Sequence, residues 1–192
     1  GGKEVPVTEK NGKYTFTMPA SKVTVKATFL QSEQPGETVF TDVPADAYYA
    51  EAVKWAVSEG ITAGTDAATF SPDMACTRAQ VVTFLWRAAG SPVENRGSMS
   101  FTDVPEDAYY AEAVRWAVSH GITAGTGDAM FSPDAVCTRG QIATLLYRAK
   151  GLDTPSGKAN PFHDVVEGSY YYDAVLWAVE NSITAGTSAT TF

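Results

Sequence analysis

Residues 40–64 read FTDVPADAYYAEAVKWAVSEGITAG, residues 101–125 read FTDVPEDAYYAEAVRWAVSHGITAG, and residues 162–186 read FHDVVEGSYYYDAVLWAVENSITAG. The step between copies is 61 residues, held without insertion or deletion, so the chain is an array of repeated units before any element is assigned. The repeat runs on past the quoted stretch. Cys76-Thr77-Arg78 returns as Cys137-Thr138-Arg139, and Phe70 returns as Phe131 and Phe192.

Each unit reads as two helices. In the first, Tyr49, Ala52, Val53, Ala56 and Val57 fall at i, i+3, i+4, i+7 and i+8, the apolar stripe of an amphipathic helix, with Glu51, Lys54 and Ser58 off it. Gly60 stands where a left-handed C-terminal residue is wanted, and Ile61 follows as the apolar residue that packs back on the last turn. In the third copy Ser182 replaces that glycine, which points to Asn181 as the left-handed residue or to a less clean ending. The turn Phe70-Ser71-Pro72-Asp73 leads to the second helix, where Thr77 caps and Gln80 reaches back in a capping box. Val81, Val82, Phe84, Leu85, Trp86, Ala88 and Ala89 make that helix apolar nearly all round, so it requires burial on several sides. Gly140 in place of Ala79 is expected to loosen its counterpart slightly.

Two short helices cannot enclose a core. The expectation is therefore that consecutive units pack their second helices together and lay the first helices outside. The third unit reaches only Phe192, so its second helix is missing from the sequence, and a homo-oligomer or domain swap through that repeat is expected to cover the open face. Residues 1 to 30 differ in kind. Lys13 to Met18 and Val23 to Phe29 alternate with period two around Pro19-Ala20-Ser21-Lys22, a hairpin pattern.

Composition excludes several classes. A net charge of −8 and a pI near 4.7 leave no basic stripe for a phosphate backbone, so no nucleic acid is expected. No run of 18 apolar residues exists, so no membrane span is expected, and Gly1-Gly2-Lys3 begins no signal sequence. His120 and His163 lack metal-ligand spacing to the cysteines, and residues 66–73 lack the alternating oxygen ligands of a calcium loop; neither metal nor cofactor is called for. Acidic residues recur with the repeat instead of forming one unique pair, and no Ser-His-Asp or Cys-His constellation is visible, so no enzyme is expected. Equivalent positions of successive repeats need not lie close, so Cys76 and Cys137 read as two free thiols in preference to a disulfide, a single bridge between them being the alternative that the sequence leaves open.

These residues resemble the S-layer homology family, whose units run Phe-x-Asp-Val, an aromatic pair with Ala-Val, Gly-Ile, Phe-x-Pro and Thr-Arg-Ala-Glu; residues 40–192 carry the likeness. Gln80 and Gln141 depart from the usual glutamate. The hairpin resembles the end of bacterial surface β-repeats related to internalin B-repeats. The resemblance implies a mainly α fold of tandem two-helix repeats packed as a pseudo-threefold helical bundle, preceded by a short β-hairpin. Its segments are a hairpin remnant at 1–30, a linker at 31–39, repeat 1 at 40–90, a linker at 91–100, repeat 2 at 101–151, a linker at 152–161 and an incomplete repeat 3 at 162–192.

It also implies a function: a non-catalytic anchor outside the cell, on the cell wall or S-layer of a bacterium. Such an anchor binds secondary cell-wall polysaccharide in grooves between repeats, often through a pyruvylated amino sugar. The alternative is a self-assembly module of a surface layer, completed by a neighbouring chain. For the polysaccharide, Arg78 and Arg139 beside the helix starts at Thr77 and Thr138 suit a ketal carboxylate. The competing reading is that both arginines are solvated or paired with an acid. Tyr48 and Tyr109 offer rings to a sugar, against the plainer reading of half-buried tyrosines with wet hydroxyls. Asp42 and Asp103 complete the set, although a carboxylate just before a helix most often caps backbone N–H groups. Trp55, Trp116 and Trp177 read as packing residues.

Overall fold

The computed structural model describes residues 8–10, 13–15, 40–93, 100–151, 155, 157 and 159–192. The chain divides into two compact units, residues 1–36 and 37–192. In the first, β1 (Thr8–Lys10) pairs antiparallel with β2 (Lys13–Thr15), Glu9 standing opposite Tyr14. The partner expected for this segment, residues 23–29, lies outside the described residues.

The second unit is helical: α1 (Ala50–Ser58), α2 (Arg78–Ala88), α3 (Ala111–Ser119), α4 (Arg139–Ala149) and α5 (Tyr172–Glu180). The odd-numbered helices are the first of each repeat. All three end alike. Gly60 and Gly121 take φ of 68° and 67°, and Ile61 N and Ile122 N donate to Ala56 O and Ala117 O. In the third copy Ser182 itself takes the left-handed place with φ 56°, while Asn181 stays at φ −89°. The expectation for Asn181 fails because the paired bonds Ser182 N to Val179 O and Ile183 N to Ala178 O fix which residue must turn over. The second helices carry the capping box: Thr77 Oγ1 accepts from Gln80 N at 3.3 Å while Gln80 Oε1 accepts from Thr77 N at 2.9 Å, and Thr138 with Gln141 does the same.

Packing departs from the expectation of outlying first helices. α2 packs chiefly on α3 of the next repeat, and α4 on α5, while α2 meets α4 only lightly. The reason is the small apolar face of the first helix. Ala113, Val114, Trp116 and Ala117 are buried beneath α2 with Ala79, Val81 and Val82, and Ala174, Val175 and Trp177 are buried likewise, with Tyr147 of α4 lying 5.5 Å from Trp177. Each repeat thus lends its second helix to its successor. Gly140 sits where an added Cβ would lie 3.1 Å from Tyr171, so its missing methyl lets α4 settle closely on the third repeat.

The Phe-x-Asp-Val segment closes each repeat on itself. Phe40 is buried against Gly64, whose φ is 83° and whose Cβ, if present, would sit 2.5 Å from Phe40 and from Thr69 O. Only glycine satisfies both demands. No helix among the described residues is long and apolar enough to cross a membrane.

Candidate functional site

A groove of about 420 Å³ opens where repeat 1 meets repeat 2. The loop Thr62–Thr65 and the turn Phe70–Pro72 with Met74 form one wall, and α2 supplies Gln80, Thr83, Phe84 and Arg87 as the floor. Cys76 of the same repeat and Tyr109 of the next complete the lining. The wall is held by local bonds: Thr62 Oγ1 accepts from Gly64 N, and the Thr65 and Ser71 hydroxyls meet at 2.8 Å. Arg87 reaches back from the last turn of α2 to donate to Ile61 O at 3.0 Å, which binds floor to wall. Tyr109 stands 63% exposed, edge-on to Tyr110. Partial burial raises its phenol above the usual pKa; Asp134 adds to this and Arg87 opposes it.

Among the described residues no carboxylate lines this groove, in a chain that carries an excess of eight negative charges. Its chemistry is one guanidinium, amide and hydroxyl groups, and the faces of Phe84 and Tyr109. Such a surface hydrogen-bonds hydroxyl groups, stacks on a ring and attracts an anion.

Of the residues expected from sequence, Tyr109 lines the groove, and the others occupy other stations. Arg78 is 6% exposed; its Nε donates to Phe131 O at 2.9 Å and a terminal nitrogen to Thr123 Oγ1 at 3.3 Å, with the guanidinium 4.9 Å from the Phe131 ring centroid. The first N–H groups of α2 are taken as well, Arg78 N by Ala135 O and Ala79 N by Pro133 O. Arg139 repeats the gesture from an exposed position, donating to Thr184 Oγ1 and Ala185 O and lying 4.6 Å from the Phe192 centroid. Thr77 and Thr138 are the caps described above. Tyr48 projects into solvent at 98% exposure.

Asp42 and Asp103 cap backbone N–H groups, but not those of the helices that follow them. The carboxylate of Asp42 takes Phe70 N at 2.8 Å and Ser71 N at 2.7 Å; Asp103 takes Phe131 N and Ser132 N at the same distances, and Asp164 takes Phe192 N. The bond from Phe70 N leads in holding the Asp42 carboxyl below its ordinary pKa. Each aspartate therefore shapes the turn that forms the groove wall. Sequence reading missed Arg87, Gln80 and Phe84 as lining residues. The signal for Arg87 was present, since Arg148 recurs one step on and donates to Ile122 O in the same way.

The profile of the S-layer homology domain matches residues 39–82, 100–143 and 161–192, the last match being shorter. The chain belongs to the S-layer homology domain family. Among its relatives, an S-layer protein of Bacillus thuringiensis subsp. finitimus is 29% identical over 78% of this chain and 18% of its own length. The S-layer protein sap of Bacillus anthracis is 29% identical over 77% of the chain and 18% of its own length. A cell surface protein of Thermoanaerobacter kivui is 33% identical over 62% of the chain and 17% of its own length. The chain thus spans less than a fifth of each of these relatives. With the family come the general role and place: a cell-surface anchoring module, at the bacterial cell surface or in its S-layer.

Proposed function

We propose that this module is non-catalytic and holds its parent protein on the secondary cell-wall polysaccharide, with the groove between repeats 1 and 2 as a binding site. The observation that carries the reading is the groove's lining of Arg87, Tyr109, Phe84 and hydroxyl groups, with no carboxylate among the described residues. That lining favours an acidic sugar, of which a pyruvylated amino sugar is one. In this reading Arg87 and Tyr109 touch the glycan, while Asp42, Asp103, Thr77 and the buried Arg78 act by positioning the loops and α2. The equivalent junction of repeats 2 and 3, with Arg148 and Tyr170 for Arg87 and Tyr109, is the second site; Arg139 and Thr138 position its floor, and Tyr48 extends the surface of repeat 1. Co-sedimentation with cell-wall sacculi, before and after removal of their polysaccharide, tests this. Binding should require the polysaccharide and fall at least tenfold in Arg87→Ala, as expected for one charged hydrogen bond. Equal binding to stripped sacculi would refute it.

A second reading, assembly with a neighbouring chain by homo-oligomerisation or domain swap, is favoured by one observation. Trp55 of α1 is 56% exposed, whereas its counterparts Trp116 and Trp177 are each 5% exposed. Sedimentation over a range of concentrations separates the readings, since assembly through this face must show mass rising with concentration.

A further inference from the structure

We propose that Cys76 and Cys137 form a reversible disulfide clasp between the first two repeats. Thr77 bridges Val136 in the antiparallel sense; beside that bridge Cys137 N donates to Cys76 O at 3.1 Å and Arg78 N to Ala135 O at 2.9 Å. This register sets Cys76 directly opposite Cys137, the arrangement that the alternative of a single bridge requires. Directly opposed residues of an antiparallel pair share a face; the bond from Cys137 N to Cys76 O makes this a hydrogen-bonded position, for which Cα atoms lie about 5.5 Å apart, inside the span of about 4.4–6.8 Å that disulfides occupy. The backbone on both sides is already fixed, because each cysteine is followed by the capping threonine of a helix.

Opposed Cβ atoms lie about 4.5–5.5 Å apart, against about 3.8 Å in a disulfide, so closure draws the two segments slightly together. A bond formed with that strain is more readily reduced than a purely structural one. Both thiols are unbridged here; Cys137 is buried, whereas Cys76 is half-buried and lines the groove. Cys76 is therefore the sulfur that an external disulfide meets first. Burial raises both thiols above their ordinary pKa, with Arg78 opposing the rise at Cys137, so the exchange quickens with rising pH.

The oxidant is a small-molecule or protein disulfide, RSSR. The Cys76 thiolate attacks one of its sulfurs, forming a mixed disulfide and expelling RS⁻. The Cys137 thiolate then attacks the Cys76 sulfur, expelling the second RS⁻ and closing the bridge. The two protons given up by the cysteines end on the two expelled thiolates; the protein dithiol is oxidised and RSSR is reduced to two RSH. Such chemistry belongs to an oxidising, extracellular setting. Closed, the clasp ties the groove wall at Cys76 covalently to repeat 2. It stands independently of what the groove binds.

The test equilibrates the whole chain at micromolar concentration with a series of oxidised and reduced glutathione, quenches by alkylation, and reads intact mass and peptide linkage. The expected result is a monomer lighter by two hydrogens, with the Cys76 and Cys137 peptides joined. Reduced glutathione should reverse it, and the oxidised form should unfold at higher urea. In Cys137→Ser, Cys76 should instead hold one stable glutathione. Two glutathione adducts, or linkage only between chains, in the wild type would overturn the proposal. The wild-type result decides the matter even if the variant fails to fold.

Discussion

Ser182 does what its two glycine counterparts do, at a cost. A left-handed conformation disfavours a residue with a Cβ by about 1–2 kcal/mol, and at Gly60 and Gly121 an added Cβ would meet nothing within 4 Å, so the cost is conformational and not steric. Asn181 Nδ2, donating to Trp177 O at 2.9 Å, offsets part of it by satisfying a terminal carbonyl. Ser182→Gly should accordingly raise stability by about 1 kcal/mol in urea titration. Asp42 yields a prediction in pH. Its carboxyl is held below its ordinary pKa chiefly by the hydrogen bond from Phe70 N. The folded form thus binds the proton less readily than the unfolded chain. Stability from this clamp is present above the unfolded pKa and is lost as acidification carries the carboxyl through its lower folded pKa. Asp42→Asn should destabilise the fold at neutral pH and flatten the pH dependence of its unfolding midpoint below about pH 4. The C-terminal signal of the first helix was legible because glycine and isoleucine are neighbours in sequence. The destination of Asp42 was not, because its partner lies 28 residues on and nothing local marks it.

At the scale of elements, identical sequence meets different surroundings. α1 and α3 differ only in Lys54 against Arg115, yet α3 lies beneath α2 while α1 leaves Ala52 and Trp55 exposed. Trp116→Ala should cost about 3–5 kcal/mol, the range for emptying a buried aromatic site. Trp55→Ala should change stability by no more than about 0.5 kcal/mol. Equal losses from the two substitutions, measured by chemical unfolding of the isolated chain, would contradict the described packing. Helix positions, the capping box and the all-round apolar character of α2 could be read from the residues. Which helix α2 would cover could not. Periodicity identifies a face that needs burial and is silent on its partner, and the partner proved to be a first helix in the next repeat.

Across the whole helical unit, the same logic gives α1 a stated complement. What covers Trp116 and Trp177 is in each case a helix begun by Thr-Arg and a capping glutamine. A peptide of residues 131–151, which contains α4, should therefore shield Trp55 when added to the chain. Its fluorescence should shift to the blue and its quenching by acrylamide should fall, while a peptide with Ala143 and Tyr147, the residues that pack on α5, changed to aspartate should do neither. The repeat register and the family were legible at this scale because they are properties of sequence alone. The groove was not, since its walls come from two repeats and its floor arginine resembles any solvated charge at a helix end.

Because α2 rests on α3 and α4 on α5, the pieces that hold together mechanically are offset by half a step from the pieces that repeat in sequence. An anchoring module carries tension. Tension applied to this chain would pass from one repeat to the next through interlocked side chains, with Arg78 hooked under the Phe131 carbonyl, as well as through the peptide between them. Rupture would then begin with the sliding of one helix over another, and a cut in the linking peptide alone would leave the two repeats still gripping each other.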